Sequence, residues 1–294
     1  MPYDIGRKTL YTAEDLYGPD NYDARVYECY LHKGKHACST RELMARSMHD
    51  YCIRKAVEDF MQDRDLLKTV SVMGGHGLLR TDEQFRHIVF ISKRLTEEGF
   101  LMISGGGPGA MEATHLGAWM AGRNDNEVEQ ALKMLAAAPS FKDEMWVRTA
   151  MEVRQRFPQN DGYESLGVPT WLYGHEPATP FATHIAKYFD NSIREDFILT
   201  AAYGGIIFTP GSAGTLQEVF QEAVQNHYLS FGFASPMIFF GSQFWQNEVP
   251  IYPLLEHLMA NGRYKNLLLS LTDSREEVVK TLLDFKPAGS PQKA

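Results

Sequence analysis

Gly204-Gly-Ile-Ile-Phe-Thr-Pro-Gly-Ser-Ala-Gly-Thr-Leu-Gln-Glu-Val-Phe-Gln-Glu222 is the stretch whose reading decides the fold. Ile206, Ile207 and Phe208 form a short apolar run of β-branched and aromatic residues, which predicts a buried strand stopped by Pro210 and Gly211. Thr215 and Glu218, three residues apart, have the spacing of a capping box, so a helix is expected to start there. The loop from Pro210 to Gly214 then lies between a strand end and a helix N-terminus. Gly211 and Gly214 let the backbone approach a ligand, while the free N–H groups of the first helical turn face it with the positive end of the dipole behind them. A phosphate fits such a place.

Outward from this stretch the same unit recurs. Val70, Val72 and Met73 read as a strand closed by Gly74, Gly75, His76 and Gly77, and a helix is expected from Asp82 to Glu98 with Phe85, Ile88, Val89, Ile91 and Leu95 inside. Phe100 to Ile103 is the next strand, running into Ser104-Gly-Gly-Gly-Pro-Gly-Ala-Met-Glu112 and a small-residue helix. Alternation of this kind predicts an α/β fold, a doubly wound, Rossmann-like parallel sheet with helices on both faces.

Residues 123–162 read as a helical insertion anchored by Trp146 and Val153. Val168 to Tyr173 is expected to resume the sheet, and Thr179-Pro180 to cap a helix carrying Ile185, Phe189, Ile193 and Phe197. Met237 to Phe240 and Leu267 to Leu271 read as the last strands, and Glu276 to Phe285 as a closing helix. The nucleotide-binding domain is thus expected over 67–287, after an N-terminal helical extension over 1–66 and before a disordered tail over 288–294. The extension starts irregular and Tyr-rich; Ser39 and Glu42 then open a helix with Leu43, Met44, Met48, Tyr51, Cys52 and Val57 at roughly helical spacing.

A chain of 294 residues with 44% apolar composition can bury a real core. Its net charge of −8 argues against a nucleic-acid surface, so any phosphate must be met locally by amides and a few arginines. The opening residues lack the apolar run of a signal peptide and no 18-residue apolar stretch occurs, which predicts a cytoplasmic protein without a membrane partner. Cys29, Cys38 and Cys52 are an odd number and suit a reducing compartment. Cys29, His32, His36 and Cys38 cluster but match no usual zinc spacing, so no metal is expected.

Gly105-x-Gly107-x-x-Ala110, with Asp125 downstream, satisfies a dinucleotide fingerprint. Such a fingerprint normally follows the first strand, whereas here a strand and helix precede it and a second glycine loop competes for the phosphate. A tight turn for helix packing, or a wall of a mononucleotide pocket, explains it better than NAD or FAD.

The segment Ser-Gly-Gly-Gly-Pro-Gly-Ala-Met-Glu-Ala, followed about a hundred residues later by Pro-Gly-Ser-Ala-Gly-Thr-Leu-Gln-Glu, resembles the paired motifs of the Lonely Guy family, long mislabelled lysine decarboxylases. The similarity spans roughly residues 68–285. It implies a hydrolase that splits a nucleoside 5′-monophosphate into free base and ribose 5-phosphate without a cofactor, in a homodimer or higher homo-oligomer. Carried over by residue, it places phosphate at Gly211, Ser212, Gly214 and Thr215, makes Glu218 the catalytic carboxylate and Arg194 its arginine partner. It adds Gly105, Gly106, Gly107, Gly109 and Glu112 to the substrate-binding set. Two departures stand out: Ser212 replaces the middle glycine of the signature, and Glu195 replaces the basic residue after the arginine.

Residue spacing alone leaves blander readings open. Glu218 is equally explained as a helix-capping glutamate, and Arg194 as a surface ion pair with Asp190 four residues earlier. A nucleotide-binding sensor that keeps the loops without turnover is the alternative function, favoured by Ser212 and Glu195. No residue stands out as the proton donor to a departing base; His175, Glu176 and Glu222 are the candidates. His76, His184 and His227 read as packing or surface residues.

Overall fold

The computed structural model describes residues 1–36, 39–173 and 176–288. Seven strands form one wholly parallel sheet: β1 (Thr69–Met73), β2 (Leu101–Ser104), β3 (Ser165–Gly167), β4 (His184–Ile185), β5 (Gly205–Phe208), β6 (Pro236–Phe240) and β7 (Leu268–Thr272). Their spatial order is β4-β3-β2-β1-β5-β6-β7. The chain therefore winds outward from β1 to β4, then returns to lay β5 on the other side of β1. The crevice above the carboxyl ends of β1 and β5, where Met73 lies beside Phe208, is the switch point at which α/β sheets bind ligands.

Both faces of the sheet are covered, which is why its inner strands read as continuous apolar runs. Alternate residues divide between two cores. Ile206, Phe208 and Phe239 pack on one side with Ile198 and Leu199 of α8 (Asn191–Thr200) and Val219 and Ala223 of α9 (Ala213–Tyr228). Val72, Ile207 and Ile238 face α4 (Glu83–Glu97), α5 (Ala110–Trp119) and α11 (Arg275–Asp284). All five core positions expected in α4 are buried. The insertion forms α6 (Asp125–Leu135) and α7 (Trp146–Arg156), with Trp146 and Val153 buried.

The N-terminal residues form α1 (Ala13–Tyr17), α2 (Tyr22–Lys33) and α3 (Thr40–Met61) and share the first core through Tyr11, Leu16, Val26 and Ile53. Ser39 does cap α3, its Oγ accepting from the Glu42 N–H at 3.2 Å. Half of the buried residues of α3, however, are polar or charged. Leu43, Met44, Met48 and Tyr51 are exposed, while Glu42, Arg46, His49 and Asp50 point inward. Each inward charge is compensated: Arg46 Nε donates to Glu42 at 3.1 Å, and Asp50 takes three protein donors. Spacing alone cannot foresee a helix that buries its hydrogen-bonded charges.

Two expected elements are displaced. The third strand occupies 165–167, earlier than the expected 168–173; beyond it Pro169 lacks an N–H and only Thr170 bridges to Tyr188. Thr179 starts no helix; its N–H donates to the Gly106 carbonyl at 2.8 Å, and the chain passes through a turn at 180–181 into β4. Helix α8 begins only at Asn191, where Asp190 accepts from the Ser192 N–H at 2.9 Å. The π-helical turn Phe244–Glu248 and α10 (Ile251–Ala260) are additional elements; Pro250 at the cap and Pro253 in the first turn of α10 are tolerated there. Among the described residues no helix is long and apolar enough to cross a membrane.

Candidate active site

A cavity of about 320 Å³ opens at the β1/β5 switch point. The loop after β1 contributes Gly74, Gly75 and His76; the β2 loop and start of α5 contribute Gly105 and Met111; α8 contributes Arg194 and Glu195; and α9 with its N-cap contributes Ser212, Gly214, Thr215 and Glu218. Tyr173 and Glu176 close the remaining side. The residues expected to be catalytic, Glu218 and Arg194, are thus brought together with three of the four expected phosphate residues.

Helix α9 starts at Ala213, two residues before the expected cap, and its N-cap Ser212 makes no side-chain bond. Thr215 therefore lies inside the first turn, and Glu218 caps nothing. The first N–H groups of this 16-residue helix are left for a ligand. A Cβ at Gly214 would meet nothing within 4 Å, so the cradle is open on this side. Gly211 serves differently: a Cβ there would run into the Thr215 hydroxyl and lie 3.1 Å from the Gly75 nitrogen. The Gly75 N–H donates to the Pro210 carbonyl at 3.0 Å and locks the two loops together.

Arg194 is 8% exposed, which removes the surface ion-pair explanation; Asp190 is occupied in capping α8. Its one charged partner among the described residues is Glu195, at 3.7 Å, and its buried Nε has no hydrogen-bond partner there. A Cβ at Gly105 would sit 3.0 Å from Arg194 Nη1, so that glycine makes room for the guanidinium. A buried guanidinium this poorly satisfied is costly unless something else accepts from it. Glu218 has no hydrogen bond to any described residue. Burial pushes its carboxyl up to about 7, against the pull of Arg194 and with a further push from Glu195. Glu195 itself is held by Asn191 Nδ2 at 2.6 Å and Gln217 Nε2 at 3.1 Å.

The N-terminal helices set the position of Arg194, a role the sequence did not disclose. Asp50 accepts from the N–H groups of Phe189 and Asp190 at 3.0 and 2.8 Å, and from His49 Nδ1 at 2.9 Å, while His49 Nε2 meets the Tyr11 hydroxyl at 2.9 Å. This buried chain clamps the segment leading directly into α8. Lys187 adds a second tie, donating to Asp23 of α2 at 2.5 Å.

The β2 loop is packed differently from the β5 loop. Of Gly105, Gly106, Gly107, Gly109 and Glu112, only Gly105 lines the cavity. Gly106, at φ +67°, is packed so that a Cβ would sit 2.8 Å from Pro169 Cδ, and Gly109, at φ +69°, lets the loop abut the Gly75 and His76 backbone. The Gly107 N–H points at Met111 Sδ, 3.4 Å away. Glu112 is wholly buried behind the loop, where Arg80 Nε donates to both its oxygens at 3.1 and 3.0 Å. The same guanidinium reaches Thr149 Oγ1 at 2.8 Å and the carbonyls of Ala138 and Trp146, each at 3.1 Å. Glu112 therefore fastens the insertion to the sheet. Asp125 is exposed and near Lys93 at 3.5 Å, distant from any dinucleotide role.

Glu222 is also apart from the cavity wall: it is wholly buried, accepts from Ser235 Oγ at 2.6 Å, and is pushed by burial up to about 8. His175 and Cys38 lie outside the described residues. Among the described residues no group of His, Cys, Asp and Glu side chains is arranged to hold a metal ion. His76, expected as a packing or surface residue, lines the cavity. Gly74, Gly75 and Gly77 around it formed a third glycine-rich strand end, and that was the signal available.

No family model and no curated protein matches the sequence. Among solved structures, a molybdenum cofactor binding protein from the phototrophic bacterium Rippkaea orientalis is similar, with 15% identity and a TM-score of 0.46 over 73% of this chain and 96% of that one. A structural-genomics target, TM1055, gives 16% identity and a TM-score of 0.46 over 74% and 99%. The Moco carrier protein of Chlamydomonas rheinhardtii gives 16% and 0.42 over 73% and 96%.

Proposed function

We propose that this protein hydrolyses the N-glycosidic bond of a nucleoside 5′-monophosphate, releasing free base and ribose 5-phosphate. The observation that carries the reading is the meeting, in one cavity, of an open helix N-terminus, a buried and under-satisfied Arg194, and an unbonded Glu218. The 5′-phosphate fits the amides at Gly214 and Thr215, where the α9 dipole and backbone donors meet an anion. Arg194 holds a phosphate or sugar oxygen in its fork, which supplies the acceptor its Nε lacks. Glu218 attends C1′. As the C–N bond lengthens and positive charge builds on the sugar, the carboxylate stabilises that charge or takes a proton from the attacking water. The motif resemblance to the Lonely Guy family supports the same assignment. No cofactor enters this scheme, and a homo-oligomer is part of the proposal.

Incubating purified protein with AMP, GMP, CMP, UMP and IMP and following free base tests the reading. Release from at least one is expected, with Glu218→Gln lowering kcat by roughly 10²–10³-fold while remaining folded. Calorimetric binding of a nucleotide without any base release would instead establish the sensor, a reading that Glu195 favours because its charge opposes a second anion beside Arg194.

A further inference from the structure

Breaking a ribosyl C–N bond leaves an electron pair on the base nitrogen, and that pair needs a proton unless the base departs as an anion. Neither Glu218, engaged with water, nor the permanently charged Arg194 supplies it. His76 follows the central strand β1 and lines the same cavity as both. Its Nδ1 lies 3.3 Å from Glu176 Oε1, and Glu176 lines the cavity too. The His76 side chain is 44% exposed and that of Glu176 17%, so the imidazole can reload from solvent while its carboxylate partner is sheltered. Phe141, from the insertion, packs edge-on against the His76 ring with centroids 5.7 Å apart.

Position is fixed from below. Besides the Gly75 bond to Pro210, the Ala110 N–H donates to the Gly75 carbonyl at 3.2 Å, which ties the His76 loop to α5 as well. The proposed phosphate cradle and the imidazole therefore belong to one backbone unit and flank one substrate.

We propose that His76, oriented by Glu176, is the general acid that protonates the departing base; this rests on the hydrolase reading above. With Nδ1–H directed at Glu176, the imidazolium presents Nε2–H to the base. The C1′–N bond breaks and its electron pair captures that proton; water oxygen bonds to C1′ and gives its proton to Glu218. Imidazole regains a proton from solvent after release. The insertion acquires a function here, since its Phe141 restricts the ring.

The test compares GMP with 7-methylguanosine 5′-monophosphate, whose base leaves neutral without taking a proton. Full-length His76→Asn should lose on the order of 10²-fold or more in kcat on GMP yet stay within about threefold of wild type on the methylated substrate. Glu176→Gln should show the same selective loss at roughly tenfold. Unchanged GMP turnover in His76→Asn, or equal losses on both substrates, would overturn the assignment while leaving the hydrolase reading intact. Wild-type protein that releases base from neither substrate nor from the other nucleotides removes the reaction itself, and the acid with it.

Discussion

The two glycine loops of this protein look alike in sequence and do opposite work. Each ends a parallel strand, opens a helix and is followed by a glutamate facing an arginine. After β2 the parts are closed on one another: Gly106 and Gly109 are filled by neighbouring protein and Glu112 is gripped by Arg80 on both oxygens. After β5 they are open: Gly214 faces empty space and Glu218 and Arg194 share a cavity without a hydrogen bond between them. Glycine permits close approach of backbone, and the sequence does not say whether protein or ligand does the approaching. Satisfaction of the charged pair distinguishes the two.

The largest expected effect breaks the closed pair. Arg80→Met leaves Glu112 buried without a counter-charge, in a site where burial already pushes its carboxyl up and Arg80 pulls it down. A loss of about 3–5 kcal/mol in urea unfolding is expected, with turnover per folded molecule retained. A stable variant that no longer binds nucleotide would mean the β2 loop is itself part of the site.

Gly109→Ala probes the same loop through its backbone. Gly109 sits at φ +69° with the Gly75 carbonyl where a Cβ would be, so the substitution should cost on the order of 1–3 kcal/mol. Because that strain shifts the Gly75–His76 backbone, thermal stability and turnover should fall together. A drop in turnover at unchanged melting temperature would contradict the packing role.

How much of this was legible follows from what kind of interaction decided each element. Strands β1, β2, β5 and β6 and helix α4 are set by apolar patterning over four to fifteen residues, which sequence displays directly. The start of α8 and the buried face of α3 are set by long-range polar partners, as when Asp50 receives the Phe189 N–H across 139 residues of chain. Glu218 and Arg194 could be singled out as candidates that share one cavity because their motif survives as a local string. His76 and Glu176 are a hundred residues apart and meet only through the sheet order, so although glycines flank His76 and Glu176 was a candidate by itself, no local string showed them as a pair.

Glu218→Gln sharpens the contrast through pH. The folded carboxyl titrates near 7, above its ordinary value of 4.5, so the fold prefers it protonated. Its stabilising contribution is complete below about 4.5 and is lost as pH rises through 7. The variant should therefore match wild type near pH 4 and exceed it by about 2 kcal/mol above pH 8 in thermal or urea unfolding. Wild-type turnover of 7-methylguanosine 5′-monophosphate, whose base needs no acid, should rise through pH 7 as the Glu218 carboxylate forms. Equal stabilities at pH 8 would show Glu218 to be as well compensated as Glu112.

Gly214→Ala gives the smallest change and the finest discrimination. At the second helical position of α9, with nothing within 4 Å of the new methyl, alanine adds helix propensity and restricts the unfolded chain. Stability should stay within about 0.5 kcal/mol of wild type or rise slightly. The methyl nevertheless occupies the space beside the amides that a phosphate would approach, so the Kd for ribose 5-phosphate by calorimetry should increase roughly three- to tenfold, about 1 kcal/mol. The pair of glycine substitutions then separates the loops by sign: Gly109→Ala damages the fold, whereas Gly214→Ala spares it and damages the ligand's place. Undiminished ribose 5-phosphate binding in Gly214→Ala would put the anion elsewhere in the crevice and take the phosphate role away from α9.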